Sequence, residues 1–152
     1  MWSRLRRFNA LPRPAKAIFL RAALLFPAIT VSLRLRGFRA TQGWLQSCLG
    51  TSPAARLAPG AASSEIQMVS RMVLAAARHS FLKATCLERS LALWWLLARH
   101  GVATQLRIGV RKAGEKFEAH AWVERDGAAI GEPETTHLHY AAFDKEFSEE
   151  PT

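Results

Sequence analysis

Two residues of this chain, Cys86 and His120, have the types and the settings that thiol catalysis requires. Cys86 stands where a helix should begin, and the free N–H groups and macrodipole of a helix N-terminus stabilise a thiolate. His120 stands in the middle of an alternating segment, which predicts a strand and therefore a rigid position for a general base. The sequence thus indicates a Cys–His enzyme.

A third catalytic residue depends on the turn that follows the His120 strand. A three-residue loop over residues 125–127 would pair position 120 with position 132 and bring Glu132 opposite His120. A two-residue turn, Asp126-Gly127, would instead pair position 121 with position 132 and point Glu132 away. Asp126 itself is a poor candidate, because six strand residues put it roughly 20 Å from His120. A Cys86–His120–Glu132 triad therefore requires the three-residue loop.

Such a triad would perform acyl chemistry. The Cys86 thiolate attacks a carbonyl carbon, His120 gives a proton to the leaving amine, and Glu132 fixes and stabilises the imidazole. The N–H of Cys86 would be one oxyanion donor. Trp122 lies on the same strand face as His120 and is predicted to shield the site and contact the substrate. The alternative from the residues alone is a buried helix-start cysteine and a surface histidine with no catalytic role.

The elements that must position these residues follow from hydrophobic periodicity, which predicts an α+β fold with helices first and an antiparallel β-meander after them. Pro27 is expected to kink or end the first helix, and Gly37 to end the second. Ser63 or Ser64, followed by Glu65, has the pattern of a capped helix start. The predicted helices cover residues of about 15–26, 28–35, 41–50, 64–79 and 86–99.

Three strands are predicted after residue 101. They cover about residues 106–110, 117–123 and 128–132, with turns at 113–115 and 126–127. Alternation on the second strand predicts one buried row, with His120 and Trp122 on the opposite face. That row consists of Phe117, Ala119, Ala121 and Val123.

The 152 residues fit one domain, and their net charge of +9 is unevenly placed. Residues 1–64 hold ten Lys and Arg and no acid, whereas the remaining eleven basic and twelve acidic residues sum to −1. We divide the chain into a basic N-terminal helical region (1–50), a loop or linker (51–63), a Cys–His catalytic core (64–143) and an acidic tail (144–152). A basic region favours an acidic protein, an anionic membrane or nucleic acid as partner.

Nucleic-acid binding is disfavoured, because the arginines lack the interleaved aromatic residues and glycines of the usual modules. The apolar stretch 22–33 is shorter than the roughly 20 residues that span a bilayer, and no signal cleavage site follows it. The arginines beside Phe19, Leu24 and Phe26 favour contact with a membrane surface over a membrane span, with packing against the rest of the domain as the default.

The two cysteines, Cys48 and Cys86, allow at most one disulfide, and their spacing suits a reducing, cytoplasmic compartment. Cys48 is expected to be a small buried apolar residue. Neither a CxxC pair nor an HExxH motif occurs, so we predict no metal and no cofactor.

Five segments of the chain together resemble the lasso-peptide maturation proteases, the "B2" or transglutaminase-like leader peptidases: residues 86–93, 99–101, 106–110, 117–124 and 126–127. The likeness covers about residues 64–135, and residues 24–38 resemble the basic N-terminal helices of that family. It implies a papain/transglutaminase-like cysteine protease core with Cys86 as nucleophile and His120 as base. At the third position the family usually has Asp, commonly after Asn, where this chain has Gly131-Glu132.

The resemblance implies a cysteine protease that removes the leader peptide from a ribosomally made lasso-peptide precursor. The chain is expected to have no leader-recognition domain, so its partners would be the precursor peptide, a small winged-helix-like leader-binding protein and a lasso cyclase resembling asparagine synthetase. Two other functions remain open: acyl transfer through the same thioester by a transglutaminase-like enzyme, and a non-catalytic basic scaffold that binds peptide or membrane. Replacing Cys86 separates an enzyme from a scaffold.

Overall fold

The computed structural model describes residues 10–50, 59–80, 83–132 and 137–143. Within these ranges three α-helices precede a four-stranded antiparallel sheet, which confirms the predicted α+β class. The helices are α1 (Arg13–Ser47), α2 (Pro59–His79) and α3 (Cys86–Arg99). The strands are β1 (Gln105–Ala113), β2 (Lys116–Arg125), β3 (Ala128–Ile130) and β4 (Ala141–Ala142), and a 3₁₀ turn at His137–His139 precedes β4.

Helix α1 is longer than the sequence pattern predicts. Pro27 lies inside it, so the expectation that the helix ends at this residue is wrong, and the alternative of a kink there stays a prediction. A proline removes one N–H from the helical ladder, and the packing of α1 on the core outweighs that loss. The expected interruption at Gly37 is present, with φ 77° and ψ −179°. Thr41 does not cap a separate helix; it is buried, and its Oγ1 donates to the carbonyl of Gly37 at 2.8 Å.

Helices α2 and α3 meet the sequence expectation more closely. α2 ends at His79 as predicted but begins at Pro59 rather than at Ser63 or Ser64, and residues 51–58 lie outside the described part of the chain. α3 spans Cys86–Arg99, and Gly101, with φ 75°, follows it in the left-handed conformation that favours glycine. The acidic tail 144–152 also lies outside the described residues.

The three helices and the sheet share one hydrophobic core, so α1 packs on the same cluster as α2 and α3. The largest fully buried members of this cluster come from the three helices, from the segment after α3 and from β2: Ile18, Phe26, Ile29, Leu45, Val69, Val73, Leu91, Leu96, Leu97, Val102 and Val123. The division of the chain at residues 50 and 63 stays a prediction.

Because α1 continues through Pro27, it is long and apolar enough to cross a membrane, with a mean hydropathy of 1.7 over its most apolar 18 residues. The expectation that this stretch is too short is therefore wrong. One third of that window is buried inside the protein. A core helix of a folded domain and an N-terminal signal segment both meet this test of length and composition.

The sheet has the order β3-β2-β1-β4. Arg125 pairs with Ala128, so the β2–β3 turn has two residues, Asp126 and Gly127, with φ of 52° and 79°. The three-residue loop, and the register that depended on it, are therefore wrong; Asp-Gly is a favoured pair for a two-residue turn in which both φ angles are positive. β4 was not predicted, and it pairs with the outer edge of β1 at Gly109.

Burial on β2 and at the end of α1 corrects two further expectations. Ala121 and Val123 are buried, but Phe117 is 76% exposed and Ala119 is exposed, so burial on β2 is confined to its second half. Cys48 is exposed at the C-terminal end of α1, where the expectation was a buried residue.

Candidate active site

The structure brings His120 and Glu132 together. Nε2 of His120 lies 2.7 Å from Oε2 of Glu132, and the two side chains are only 13% and 18% exposed. This contact engages one ring nitrogen and leaves Nδ1 as the nitrogen that can exchange a proton with a thiol or a substrate. The carboxylate can therefore hold the imidazole in one orientation and stabilise its charged form.

Glu132 reaches His120 by a route that the strand register does not predict. With a two-residue turn, a continuous β3 would have placed Glu132 on the opposite face of the sheet from His120. β3 instead ends at Ile130, and Gly131 adopts φ 75°, a conformation that L side chains rarely adopt. The backbone bend at Gly131 therefore carries the Glu132 carboxylate to the His120 side.

Two aromatic rings flank the His120 imidazole. Trp122 stacks beside it with ring centroids 6.1 Å apart and an interplanar angle of 16°, and Tyr140 lies on it at 5.1 Å. Trp122 is 2% exposed, and its Nε1 donates to Oε2 of Glu124 at 3.2 Å. Trp122 therefore shields the imidazole, but it offers almost no surface to a substrate, and its predicted substrate contact stays a prediction.

Tyr140 is in turn supported by Arg111. The Arg111 guanidinium lies 4.8 Å from the centre of the Tyr140 ring and makes a 2.6 Å ion pair with Glu118. The hydrogen bond that Arg111 donates to the Glu118 carboxylate raises the pKa of Arg111 above its ordinary value. The sequence analysis did not predict the group of Arg111, Glu118 and Tyr140, because the single tyrosine of the chain lies in a segment without periodicity. The Arg111–Glu118 pair could have been found, since the short turn between β1 and β2 places these two residues opposite each other.

Cys86 is the first residue of α3 and is partly exposed. A capping box defines this helix start: Oγ1 of Thr85 accepts the N–H of Glu88 at 3.3 Å, and Oε2 of Glu88 accepts the N–H of Thr85 at 2.7 Å. The spacing of Thr85 and Glu88 is the sequence signature of this motif, and it could have been recognised from the sequence.

The same glutamate ties the start of α3 to α1. Glu88 is 7% exposed, and its Oε1 accepts a hydrogen bond of 2.6 Å from Oγ1 of Thr30 in α1. Because both carboxylate oxygens are bonded, one buried side chain fixes the N-terminus of α3 along its axis and against a second helix. The orientation of Cys86 therefore depends on Thr30, a residue 56 positions earlier that the sequence analysis did not single out.

Ser90 brings this face of α3 against the His120 strand. It lies four residues after Cys86 and therefore on the same side of the helix, and its Oγ donates to the carbonyl of Ala121 at 2.8 Å. Among the described residues no hydrogen bond joins the Cys86 thiol to His120. Such nucleophile–base contacts are often long in the absence of substrate and shorten when it binds.

A cavity of about 260 Å³ opens beside the histidine. Its polar end is formed by His120, Glu132 and Arg89, and its remaining walls are mainly aliphatic side chains of the helices and of β3. Cys86 is not among the residues that line it. The aliphatic lining consists of Val73, Leu74, Leu93 and Ile130. This space suits an apolar side chain of a peptide held next to the imidazole.

Within the described ranges, no group of three or more His, Cys, Asp or Glu side chains is placed to hold a metal ion. The ionisable groups that line the cavity are an imidazole, a carboxylate and a guanidinium, and the Cys86 thiol stands three residues before Arg89 on the same helix. This set of groups is suited to acid–base and thiol chemistry on a carbonyl compound.

Comparison with known proteins supports this chemistry. The profile of the transglutaminase-like superfamily matches residues 29–143, a range that includes Cys86, His120 and Glu132. Members of that superfamily are generally cysteine peptidases or acyl transferases. No curated protein and no solved structure matches the chain.

Proposed function

Because this chain belongs to the transglutaminase-like superfamily, we propose that it is a cysteine peptidase that acts through a thioester on Cys86. The observation that carries the proposal is the 2.7 Å contact between His120 and Glu132 beside a cavity that can hold a substrate side chain. Thiol acyl chemistry uses an imidazole oriented by a carboxylate together with a cysteine at a helix start, and this chain has both features.

In the acylation step, Nδ1 of His120 takes the thiol proton of Cys86, the sulfur forms a bond to the carbonyl carbon, and a tetrahedral oxyanion results. The oxyanion collapses, the carbon–nitrogen bond breaks, and His120 transfers its Nδ1 proton to the departing amine. Water then gives a proton to Nδ1 of His120 while its oxygen bonds to the thioester carbon. The carbon–sulfur bond breaks, the acid is released, and His120 returns the proton to the Cys86 sulfur, which restores the thiol. Glu132 keeps Nε2 engaged through both steps, so Nδ1 remains directed to the reacting atoms.

The start of α3 supplies an oxyanion donor. The N–H groups of Glu88 and Arg89 bond to the side chain and the carbonyl of Thr85, respectively. The N–H of Cys86 precedes them in the first turn and is not used by the capping box. It is therefore the backbone donor assigned to the oxyanion in this proposal.

For the substrate, we propose the leader of a ribosomally made lasso-peptide precursor, with a separate leader-binding protein and a lasso cyclase as partners in the cytoplasm. This choice is supported by the resemblance of three segments to the lasso-peptide maturation proteases, in the same order along the chain: residues 86–93, 106–110 and 117–124. The His120–Glu132 contact supports Gly131-Glu132 as the equivalent of the third triad position. The aliphatic cavity next to His120 supports a peptide with an apolar residue close to the cleaved bond.

A substrate-independent test uses the second cysteine as an internal reference. Cys48 is exposed and Cys86 only partly so, so simple accessibility predicts faster alkylation of Cys48. An activated Cys86 should instead react with iodoacetamide at pH 6 at least about tenfold faster than Cys48, measured by peptide mass spectrometry. His120→Ala should abolish the advantage, whereas His79→Ala, at the end of α2, should leave it intact. If Cys86 is alkylated more slowly than Cys48 and His120→Ala does not change its rate, Cys86 is not an activated thiol.

A second test incubates a lasso-peptide precursor with this protein and a leader-binding protein and follows the precursor by mass spectrometry. We expect one cut that Cys86→Ala abolishes, that Cys48→Ala leaves unchanged, and that Glu132→Gln slows by roughly 10²-fold. An uncut peptide, under conditions where the partner binds the leader, would contradict the peptidase proposal. A product that carries an added amine in place of water would assign the protein to acyl transfer, and an unchanged function in Cys86→Ala would assign it to scaffolding.

A further inference from the structure

The outer face of α1 carries an apolar stripe, which we define as Leu20, Leu24, Val31 and Leu35. These side chains are 52%, 75%, 54% and 79% exposed, respectively. At 3.6 residues per turn their spacing places all four within an arc of about 60°, over a length of about 22 Å. They are therefore one continuous surface and not scattered exposed residues.

The opposite face of α1 is already occupied. Ala22, Phe26 and Ile29 lie on that side and are at most 1% exposed in the core shared with α2 and α3. A membrane-spanning α1 would have to withdraw these residues from the core. Because the folded domain uses one face of the helix and leaves the other bare, the structure favours α1 lying along a surface and not across a bilayer.

The charges around the apolar stripe are of one sign. Arg21 and Arg34 are exposed and lie about 70° to either side of the centre of the stripe. Arg13 and Arg39 are exposed towards its two ends. Residues 1–64 contain no Asp or Glu, and none of these four arginines forms an ion pair with any described residue.

We propose that the apolar stripe of α1 docks on an anionic lipid surface, with the helix axis in the plane of the interface. An aliphatic face flanked by arginines is the pattern of helices that bind at the headgroup level, where the side chains enter the acyl boundary and the guanidinium groups meet lipid phosphates. A second copy of the chain fits less well, because pairing two stripes would bring arginine next to arginine. This docking would hold the domain against a membrane independently of its chemistry at Cys86.

The test is sedimentation of the purified full-length protein with vesicles of phosphatidylcholine, with and without phosphatidylglycerol. We expect binding to the anionic vesicles only. Leu24→Ser combined with Leu35→Ser should weaken it by at least about tenfold. Arg21→Gln and Arg34→Gln should each weaken it about fivefold at low salt and have little effect in high salt. Leu138→Ser is the matched control, since Leu138 is 71% exposed on the 3₁₀ turn and distant in sequence from α1.

Circular dichroism and gel filtration without vesicles complete the design. Every variant should keep the wild-type helical signal, and Cys86→Ala should bind vesicles as wild type does, because docking and catalysis use different residues. Equal binding to both kinds of vesicle, or an equal loss in Leu138→Ser, would overturn the proposal. If the wild type is a dimer and the double leucine variant is a monomer, the apolar stripe binds a second copy of the chain. If the bound protein resists both high salt and alkaline extraction, α1 spans the membrane.

Discussion

Gly109→Ala should destabilise the protein although alanine is intrinsically the better strand residue. Gly109 lies in β1 between His120 on β2 and Ala142 on β4. A Cβ at this position would lie 2.8 Å from the carbonyl oxygen of Ala141 and 3.0 and 3.1 Å from Cη2 and Cζ3 of Trp122. One of these neighbours is backbone and the other is a fully buried ring, so neither can move away freely.

Two opposing terms decide the sign of the change. Overpacking of this kind costs about 1–3 kcal/mol, whereas replacing glycine in a strand returns about 0.5–1 kcal/mol of backbone entropy. The difference between these two ranges is about 0–2.5 kcal/mol, and their midpoints predict a net loss of about 1.2 kcal/mol in the free energy of unfolding. For a domain of this size the midpoint corresponds to a fall in Tm of roughly 2–5 °C.

The change should also reach the active site. Trp122 and Tyr140 both contact the His120 ring, and Tyr140 immediately precedes β4. Displacing Trp122 and β4 should therefore misplace the imidazole and lower the cleavage rate at least about tenfold at a temperature where the variant remains folded. Thermal and urea unfolding give the stability term, and peptide cleavage with peptide-resolved alkylation of Cys86 gives the active-site term.

Gly43→Ala is the matched control. Gly43 lies in α1, and a Cβ there meets nothing within 4 Å. Its replacement should stabilise the protein by about 0.5–1 kcal/mol and leave the cleavage rate unchanged. The prediction thus requires opposite signs for the same substitution at two glycines. A neutral or stabilising Gly109→Ala would refute the argument that β4 and Trp122 close tightly on this residue.

Two further predictions concern the contacts that fix α3. Thr30→Val keeps the shape of the side chain but removes the 2.6 Å hydrogen bond to buried Glu88. We expect the free energy of unfolding in urea to fall by about 1.5–3 kcal/mol and the alkylation of Cys86 to slow, and Thr30→Ser should rescue both. An unaltered stability in Thr30→Val would contradict the anchoring role of Glu88. Ser90→Ala removes the donor to the Ala121 carbonyl and should lower the free energy of unfolding by about 1–2 kcal/mol in the same measurement. A stability equal to that of the wild type would show that this hydrogen bond does not hold α3 to β2.

Much of the secondary structure is encoded locally and could be predicted. The helical period from residue 86 to Gly101 located α3, and alternation located β1 and β2, because a helix face and a strand face each repeat over a few residues. The placement of Cys86 at a helix start has the same origin, since the Thr85–Glu88 capping box is a contact between residues three positions apart. The chemistry of these residue types could likewise be named from the sequence.

Long-range packing decided what local pattern could not. Pro27 stays within α1 because the helix on both sides of it is held by the core, an energy that no local window contains. Trp122 alternates like an outward-facing residue, yet β4 and Gly109 bury it. Tyr140 reaches His120 only because β4 returns to the edge of β1.

Glu132 shows most directly the difference between what the local sequence pattern predicts and what the tertiary structure determines. The order of residues alone predicted that a carboxylate follows the His120 strand at a distance compatible with pairing. It left the face open, because one residue more or less in a turn reverses the direction of every side chain that follows. The turn has two residues, the register that would serve a triad is absent, and the contact forms nonetheless because Gly131 bends the chain at the end of β3. A positive φ at one glycine, stabilised by the surrounding fold, therefore decided what the hydrophobic pattern could not.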